Sequence, residues 1–238
     1  MSFTHGSIST ILLNATNVSA FLNSHDQTVT MDTADVTTFS SSAKSYLAGH
    51  PDGTVSLSGF WDAAAGAIDP IMAGIIGSST ASVLSICEEG AATVGNRALV
   101  VQSHDTSYQI TGAVGDAVGV SAEFQIDGTG SSGAYRGNVL APLTSYGTSV
   151  NTTNLDNVSG TTNGLQANLH MVTNAVATTV KIQHSTDAST WTDLITFAVL
   201  SGTGSEHKVA TGTVHRYLRV NVTAASGSRT LAVTAARR

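Results

Sequence analysis

The sequence predicts an all-β chain with one flanking α-helix, divided into two units. Three observations carry this. Short runs of alternating apolar and polar residues recur along the chain, broken by Gly, Asn and Ser, as antiparallel strands and turns require. One segment alone, residues 62–77, carries a helical stripe. Charge is also unevenly placed: residues 1–150 hold 3 Lys/Arg against 12 Asp/Glu, and residues 151–238 hold 7 against 4, which together give the net −6 of the 238-residue chain. The split predicts two domains, 1–150 and 151–238.

The first unit opens with a strand over 7–14, a turn at Ala15-Thr16-Asn17 and a second strand from about Gln27 to Phe39. Val36, Thr37, Thr38 and Phe39 are β-branched or aromatic, as strands prefer. Ser40 to Lys44 is small and polar. Pro51-Asp52-Gly53 then reads as a turn, with Pro presetting φ and Gly supplying a positive φ. From Thr54 to Asp62 the chain alternates, with Val55, Leu57, Gly59 and Trp61 on one side. A loop of about a dozen residues therefore joins two strands, longer than an ordinary hairpin needs, and is expected to touch another subunit.

In the predicted helix, Ile68, Ile71, Met72, Ile75 and Ile76 form one stripe. Asp69 before Pro70 predicts an N-cap with Pro at the first helical position, and Gly77 a stop. Strands are expected at 81–88, 98–110 and 117–127. In the last, Val120, Ala122, Phe124 and Ile126 alternate with Ser121, Glu123, Gln125 and Asp127, which predicts one dry face and one wet, mildly acidic face. Gly128 to Gly133 has the spacing of a nucleotide-binding glycine loop, but no helical stripe follows and no βαβ alternation exists. It reads as a flexible connection out of the first unit.

Residues 151–238 predict a small β-sandwich, Ig-like or carbohydrate-binding-like, with strands at 166–173, 178–184, 191–199, 206–211, 217–222 and 229–235. Ser185 to Ser189 is its clearest turn and Trp191 its expected core anchor.

Composition bounds the chemistry. Charged residues are only 11% of the chain, against about a quarter in an ordinary soluble domain, which fits a protein that buries much of its surface in an assembly. The single cysteine, Cys87, leaves no internal disulfide and no cysteine zinc site; it reads as a small buried hydrophobe. Eight scattered histidines form no spaced metal pair, and no nucleophile elbow, phosphate loop or calcium loop is present. The expectation is no enzyme, no cofactor and no metal. MSFTHGSIST lacks a basic region followed by an apolar one, so folding in a cytoplasm is expected. No stretch has the length of a membrane span. The acidic first unit is poorly suited to gripping nucleic acid.

With these residues laid out, the first unit resembles the major tail tube proteins of long-tailed bacteriophages. The residues that carry this are ILLNATNVSAFLNS at 11–24, MDTADVTTFSSSAKSYLAGHPDGTVSLSGFWD at 31–62, IIGS at 75–78 and VSAEFQIDG at 120–128, in that order. The second unit resembles the β-sandwich appendage that some members carry, through HSTDASTWTDL and RYLRVNVTA. His50 stands where the pattern would carry an apolar residue. The resemblance implies a tail-tube-type β-sandwich or barrel, hexameric rings stacked into a tube, and a place in the virion tail after assembly in the host cytoplasm. It implies partners too: other copies of the chain, tape measure, tail terminator and baseplate or distal tail proteins, and DNA passing through the lumen without specific binding. The inter-ring loop would comprise Ser40, Ser41, Ser42, Lys44, Tyr46, Leu47, His50 and Asp52. Glu123, Gln125 and Asp127, with Asp32, are the lumen-facing candidates. The reading set against this one is a soluble carbohydrate-binding or adhesion protein carried by the second unit.

Overall fold

The computed structural model describes residues 6–238. Its strands are β1 (Thr10–Leu13), β2 (Thr16–Asn17), β3 (Leu22–Asp35), β4 (Tyr46–Phe60), β5 (Ser82–Cys87), β6 (Arg97–Thr111), β7 (Gly119–Ile126), β8 (Tyr135–Tyr146), β9 (Ser149–Asn151), β10 (Leu155–Asp156), β11 (Leu165–Thr173), β12 (Thr178–Ser185), β13 (Thr192–Thr196), β14 (Gly204–Ala210), β15 (Tyr217–Ala224) and β16 (Arg229–Arg237). One α-helix, α1 (Ile68–Ile75), lies between β4 and β5. Every pairing is antiparallel. The all-β class with one helix is as the sequence predicts. No helix among the described residues is long and apolar enough to cross a membrane.

The larger sheet runs β14-β11-β16-β8-β6-β5-β1-β2, and β7, β4 and β3 branch from β6. The branch is a fork. β8 pairs with β6 at Arg97 to Val100, and β7 takes over from Ser103 to Thr111. A core of Ile11, Leu13, Val55, Leu57, Leu84, Ile86, Leu99, Val101 and Phe124 fills the first limb, closed by Ile68 and Met72 of α1. The smaller sheet, β10-β15-β12-β13 with β9 on β15, shares a second core with β8, β11 and β16, built on Leu140, Leu169, Val180, Ile182, Phe197, Val220 and Val233. β8 thus belongs to both cores' sheet.

Several expectations are corrected by local physics. The helix is half the predicted length because Asp62 Oδ1 accepts the Ala64 N–H at 2.8 Å and Gly66 sits at φ 81; both hold the chain in a turn. Its N-cap is Ala67, while Asp69 instead accepts the Tyr108 hydroxyl at 2.8 Å, tying α1 to β6. Tyr135–Tyr146, where the sequence predicts no strand, forms β8, central in the sheet. Gly137 permits it, since a Cβ there would lie 2.0 Å from the Ala235 carbonyl oxygen. Pro142 is tolerated because the register with β16 shifts around it. Trp191 is only half-buried, under the Arg219 guanidinium at 4.2 Å; Phe197 anchors that core instead. Cys87 is fully buried, as expected, and burial with the neighbouring Glu88 pushes its thiol up to about 12.

One row of polar side chains is buried between the limbs. Gln166, Asn168 and His170 alternate along β11 and are all fully buried. The sheet folds back so that they meet the backbone of β5 and β6. Asn168 donates to the Leu84 and Val101 carbonyls at 2.8 and 3.0 Å. Gln166 donates to the Val100 carbonyl at the fork and accepts the Gly133 N–H at 3.1 Å. His170 Nδ1–H donates to the Asn14 carbonyl at 2.6 Å and Nε2 accepts the Ser85 hydroxyl at 2.8 Å.

Candidate assembly surfaces

The candidate site is the sheet limb β3-β4-β7-β6, a wet face with two contrasting ends. Register places Asp26, Ser56, Glu123 and Ser107 in one row across the four strands. Thr28, Thr54, Gln125 and His104 form the next row, and Ser24, Ser58, Ser121 and Gln109 a third. None of these is Lys or Arg. The opposite face carries Val55, Leu57, Val120, Ala122 and Phe124 against the core, so strand alternation alone sets the polarity. Of the alternation expected over 54–62 and 117–127, the structure shows 54–59 and 119–126; Trp61, expected on the side of Val55 and Leu57, is exposed.

At one end β4 outruns β7, which pairs with it only from Thr54 onward. Residues 46–53 of β4 therefore pair with β3 alone. The result is a two-stranded ribbon roughly 27 Å long at about 3.4 Å per residue. Pro51-Asp52-Gly53 is not a turn but lies within this ribbon, opposite Met31, Thr30 and Val29. Pro51 fits there because the edge it shows has no strand to bond. Gly53 is absent from the positive-φ residues and is needed for space, since a Cβ would lie 2.6 Å from the Thr28 carbonyl oxygen. The true loop is 36–45, closed by the Val36 N–H to the Ser45 carbonyl at 2.9 Å. Asp35 Oδ1 accepts the Thr37 N–H at 2.9 Å, and hydrogen bonds from Thr37 hold its carboxyl below the usual range.

The ribbon has no core. Val29, Met31, Val36, Phe39, Tyr46 and Leu47 are all exposed, Phe39 completely. At the other end of the same strands, Phe60, Trp61, Ile110, Val114 and Val118 are exposed as well, around the β6–β7 hairpin where the Trp61 N–H meets the Val118 carbonyl at 2.9 Å. Sequence reasoning missed this second patch. Its signal is two valines, Val114 and Val118, in a Gly- and Asp-containing hairpin tip where polar residues are usual.

The predicted loop residues divide. Ser40, Ser41, Ser42 and Lys44 are exposed in the 36–45 loop, where Ser40 and Ser41 bond the Thr38 hydroxyl at 3.1 Å. Tyr46 and Leu47 begin β4. His50 falls within β4, and its side chain lies outside the described residues. Asp52 is not in the loop but meets a lumen candidate: Gln125 Nε2 donates to Asp52 Oδ1 at 2.7 Å. Glu123 and Gln125 share the wet face. Asp127 turns into the fork, accepting the Thr129 N–H at 2.9 Å and Gln102 Nε2 at 3.1 Å. Burial opposes its ionisation, but Thr129, His104 and His207 hold its carboxyl below the usual range. Asp32 sits at the register shift in the ribbon, away from the other three.

No family model matches the chain, and no curated protein does either. Among solved structures it is similar to a chain in the virion of a native gene transfer agent (GTA) particle, at 17% identity and a TM-score of 0.46, over 56% of this chain and 100% of that one. A chain in the tail of an empty GTA particle of C6 symmetry gives 15% and 0.42, over 50% and 92%. The Dit (gp 19.1) protein of SPP1, a hub of the adsorption apparatus in phages infecting Gram-positive hosts, gives 10% and 0.35, over 96% and 98%.

Proposed function

We propose that the chain is a structural protein of a bacteriophage-type tail, polymerising head to tail as stacked hexameric rings into a tail tube. The observation that carries this is the pair of bare apolar surfaces at opposite ends of β4. A two-stranded ribbon is at best marginal alone in water, and exposed apolar patches mark interaction sites. Surfaces at opposite ends make a heterologous contact, which closes into rings or extends into polymers. Charge agrees: Lys44 is the one charged residue in the 36–45 loop, and the far end carries Asp62 and Asp116 without a cation.

In this reading residues 1–150 form the tube wall and residues 151–238 project outward as an appendage. The arm, Val29 to Gly53, grips the next ring. The wet face lines the lumen, where Asp26, Asp52 and Glu123 repel DNA phosphates close to the wall, within roughly 8 Å at physiological salt. Tape measure, tail terminator and distal tail proteins are the further partners. The aromatics that a glycan-binding reading of 151–238 would use are occupied: Phe197 in the core, Trp191 under Arg219 and Tyr217 beside Arg216 at 4.9 Å.

Negative-stain micrographs of concentrated protein should show stacked rings or tubes with a central hole. Monodisperse particles under all conditions, with an initiating tail complex included, would overturn the proposal. The lumen assignment is tested with Glu123→Cys, since native Cys87 is buried. A thiol reagent too bulky to enter the tube should label it before assembly and not after; equal labelling of finished tubes would place that face outside.

A further inference from the structure

Two of the three cations in residues 1–150 meet a third from the C-terminal strand in one cleft. Arg97 of β6 is opposite Asn138 of β8, and Asn138 is opposite Ala235 of β16. Residues two apart on a strand share a face, so Arg136 and Arg237 stand on the same face as Arg97. Adjacent strands lie about 4.8 Å apart and residues about 3.4 Å apart along a strand, which puts the Arg97 and Arg237 backbones roughly 12 Å from each other. The three arginines line a cleft of about 460 Å³ with Asn138, Asp156 and Val158. That is the size of a small-ligand site.

The charges in this cleft do not balance. Arg136 pairs with Glu88 at 2.6 Å. Among the described residues, the Arg237 guanidinium donates to the carbonyls of Ser159 and Asn157 and faces no carboxylate. The Arg97 guanidinium has no partner among the described residues; only its backbone N–H is engaged, by Glu89 Oε2 at 3.0 Å. Asp156 is already committed. It holds Arg216 through both oxygens at 2.7 and 2.6 Å and accepts the Val158 N–H at 2.8 Å.

The loop at the cleft mouth is independently unusual. Val158 has φ 67, a region that a β-branched residue rarely enters, and its side chain is 79% exposed. Such strain persists only where surrounding bonds over-determine it, and it clusters at binding sites. Here Asp156 and Arg237 supply those bonds, and the result is an apolar side chain held over a basic cleft.

We propose that this cleft binds an oxyanion, a carboxylate or phosphate group on a polar ligand, with Arg97 as its principal charge partner. Arg237 adds a second cation and Val158 closes over the ligand's carbon skeleton, while the Asn138 and Asn157 side-chain amides stay engaged with the Gly95 and Arg216 carbonyls at 2.6 and 3.1 Å. The oxyanion comes either from a free small molecule or from an acidic side chain of a second copy of this chain.

The test is calorimetric titration of dilute protein at low salt with citrate and with inorganic phosphate, with chloride as control. Saturable binding is expected that weakens about tenfold or more in Arg97→Ala, the loss of one charge-assisted pair, and partly returns in Arg97→Lys. The Arg97 side chain makes no bond among the described residues, so the thermal midpoint of Arg97→Ala should match wild type. Absence of saturable binding, or equal affinity in Arg97→Ala, would overturn the proposal whether or not tubes form. Sedimentation of concentrated protein separates the sources: citrate and Arg97→Ala both reduce association if a second copy fills the cleft, and neither does if the ligand is free.

Discussion

The arm and the buried row on β11 invert the usual placement of side chains in opposite ways. Along Val29 to Leu47, apolar groups stand in water; along Gln166 to His170, polar groups stand in the dark between two sheet limbs. The difference lies in where each finds its partners. The β11 row finds all of them inside the chain, in the Leu84, Val100 and Val101 carbonyls, Ser85 and Asn14. The arm's apolar side chains stay exposed, although Asp52 at its base is tied to Gln125. One inversion is satisfied within the chain; in the proposed tube the other would be satisfied between subunits.

Substitutions should separate the two. The largest effect is expected at His170→Ala, which opens a cavity and strips the buried Asn14 carbonyl of its donor, while Ser85 keeps Thr234 and Asn168 as partners. A loss of about 3 kcal/mol in denaturant unfolding is expected, with no change in which surfaces associate. The same histidine predicts a pH dependence. Burial pulls His170 down to about 4, against the Asn14 hydrogen bond, and His207 down to about 4 against Asp127. Between about 6.5 and 4 the unfolded chain binds protons that the folded chain excludes. Stability is therefore full above 6.5 and falls as the pH drops, by about 3 kcal/mol for His170 alone. Denaturation curves from pH 7 to pH 4.5 measure this slope, and His170→Gln should flatten it.

A smaller effect of opposite sign is expected at Asp105. Asp105 is 7% exposed as a residue, and among the described residues neither oxygen of its buried carboxyl has a hydrogen-bond partner. Burial raises it to about 6, which the nearby Ser107 N–H opposes only in part. The cost builds as the pH rises from about 3.8 to about 6 and is complete above that, so Asp105→Asn should stabilise the fold by about 1–2 kcal/mol at pH 8 and by little at pH 4. The smallest effect on subunit stability belongs to the arm. Phe39→Ser with Leu47→Ser should change unfolding by less than about 0.5 kcal/mol, as exposed sites do, yet prevent sedimentable polymers from forming. Full-length polymers from this variant would remove the arm from assembly.

The sequence makes the alternating strands plain. Val120 to Asp127 and Thr54 to Gly59 show their dry and wet sides directly, and the strands of 165–237 fall close to where spacing puts them. Alternation does not say what covers a face. Gln166, Asn168 and His170 alternate with Leu165, Ala167, Leu169 and Met171 just as a solvated strand would, and only the folding back of the sheet buries them. Pro and Gly mislead for a related reason. Pro51 and Gly53 signal a turn locally, but an unpaired strand edge accepts the first and a close backbone approach demands the second. Pro142 and Gly137 in β8 repeat that lesson. Of the candidate site, the serine-rich tip and the Glu123–Gln125 face were legible. Placing Asp52 beside Gln125, and finding the bare patch around Trp61, needed the register of β4 against its neighbours.

The fork in β6 also has a mechanical meaning. A pull on the arm along its length loads β4, passes through seven registered positions to β7, and from there to β6 before reaching β8. In antiparallel ladders the hydrogen bonds lie across the strands, so this load shears many bonds together instead of unzipping them singly. A pull along the arm is therefore resisted by several ladder hydrogen bonds at once.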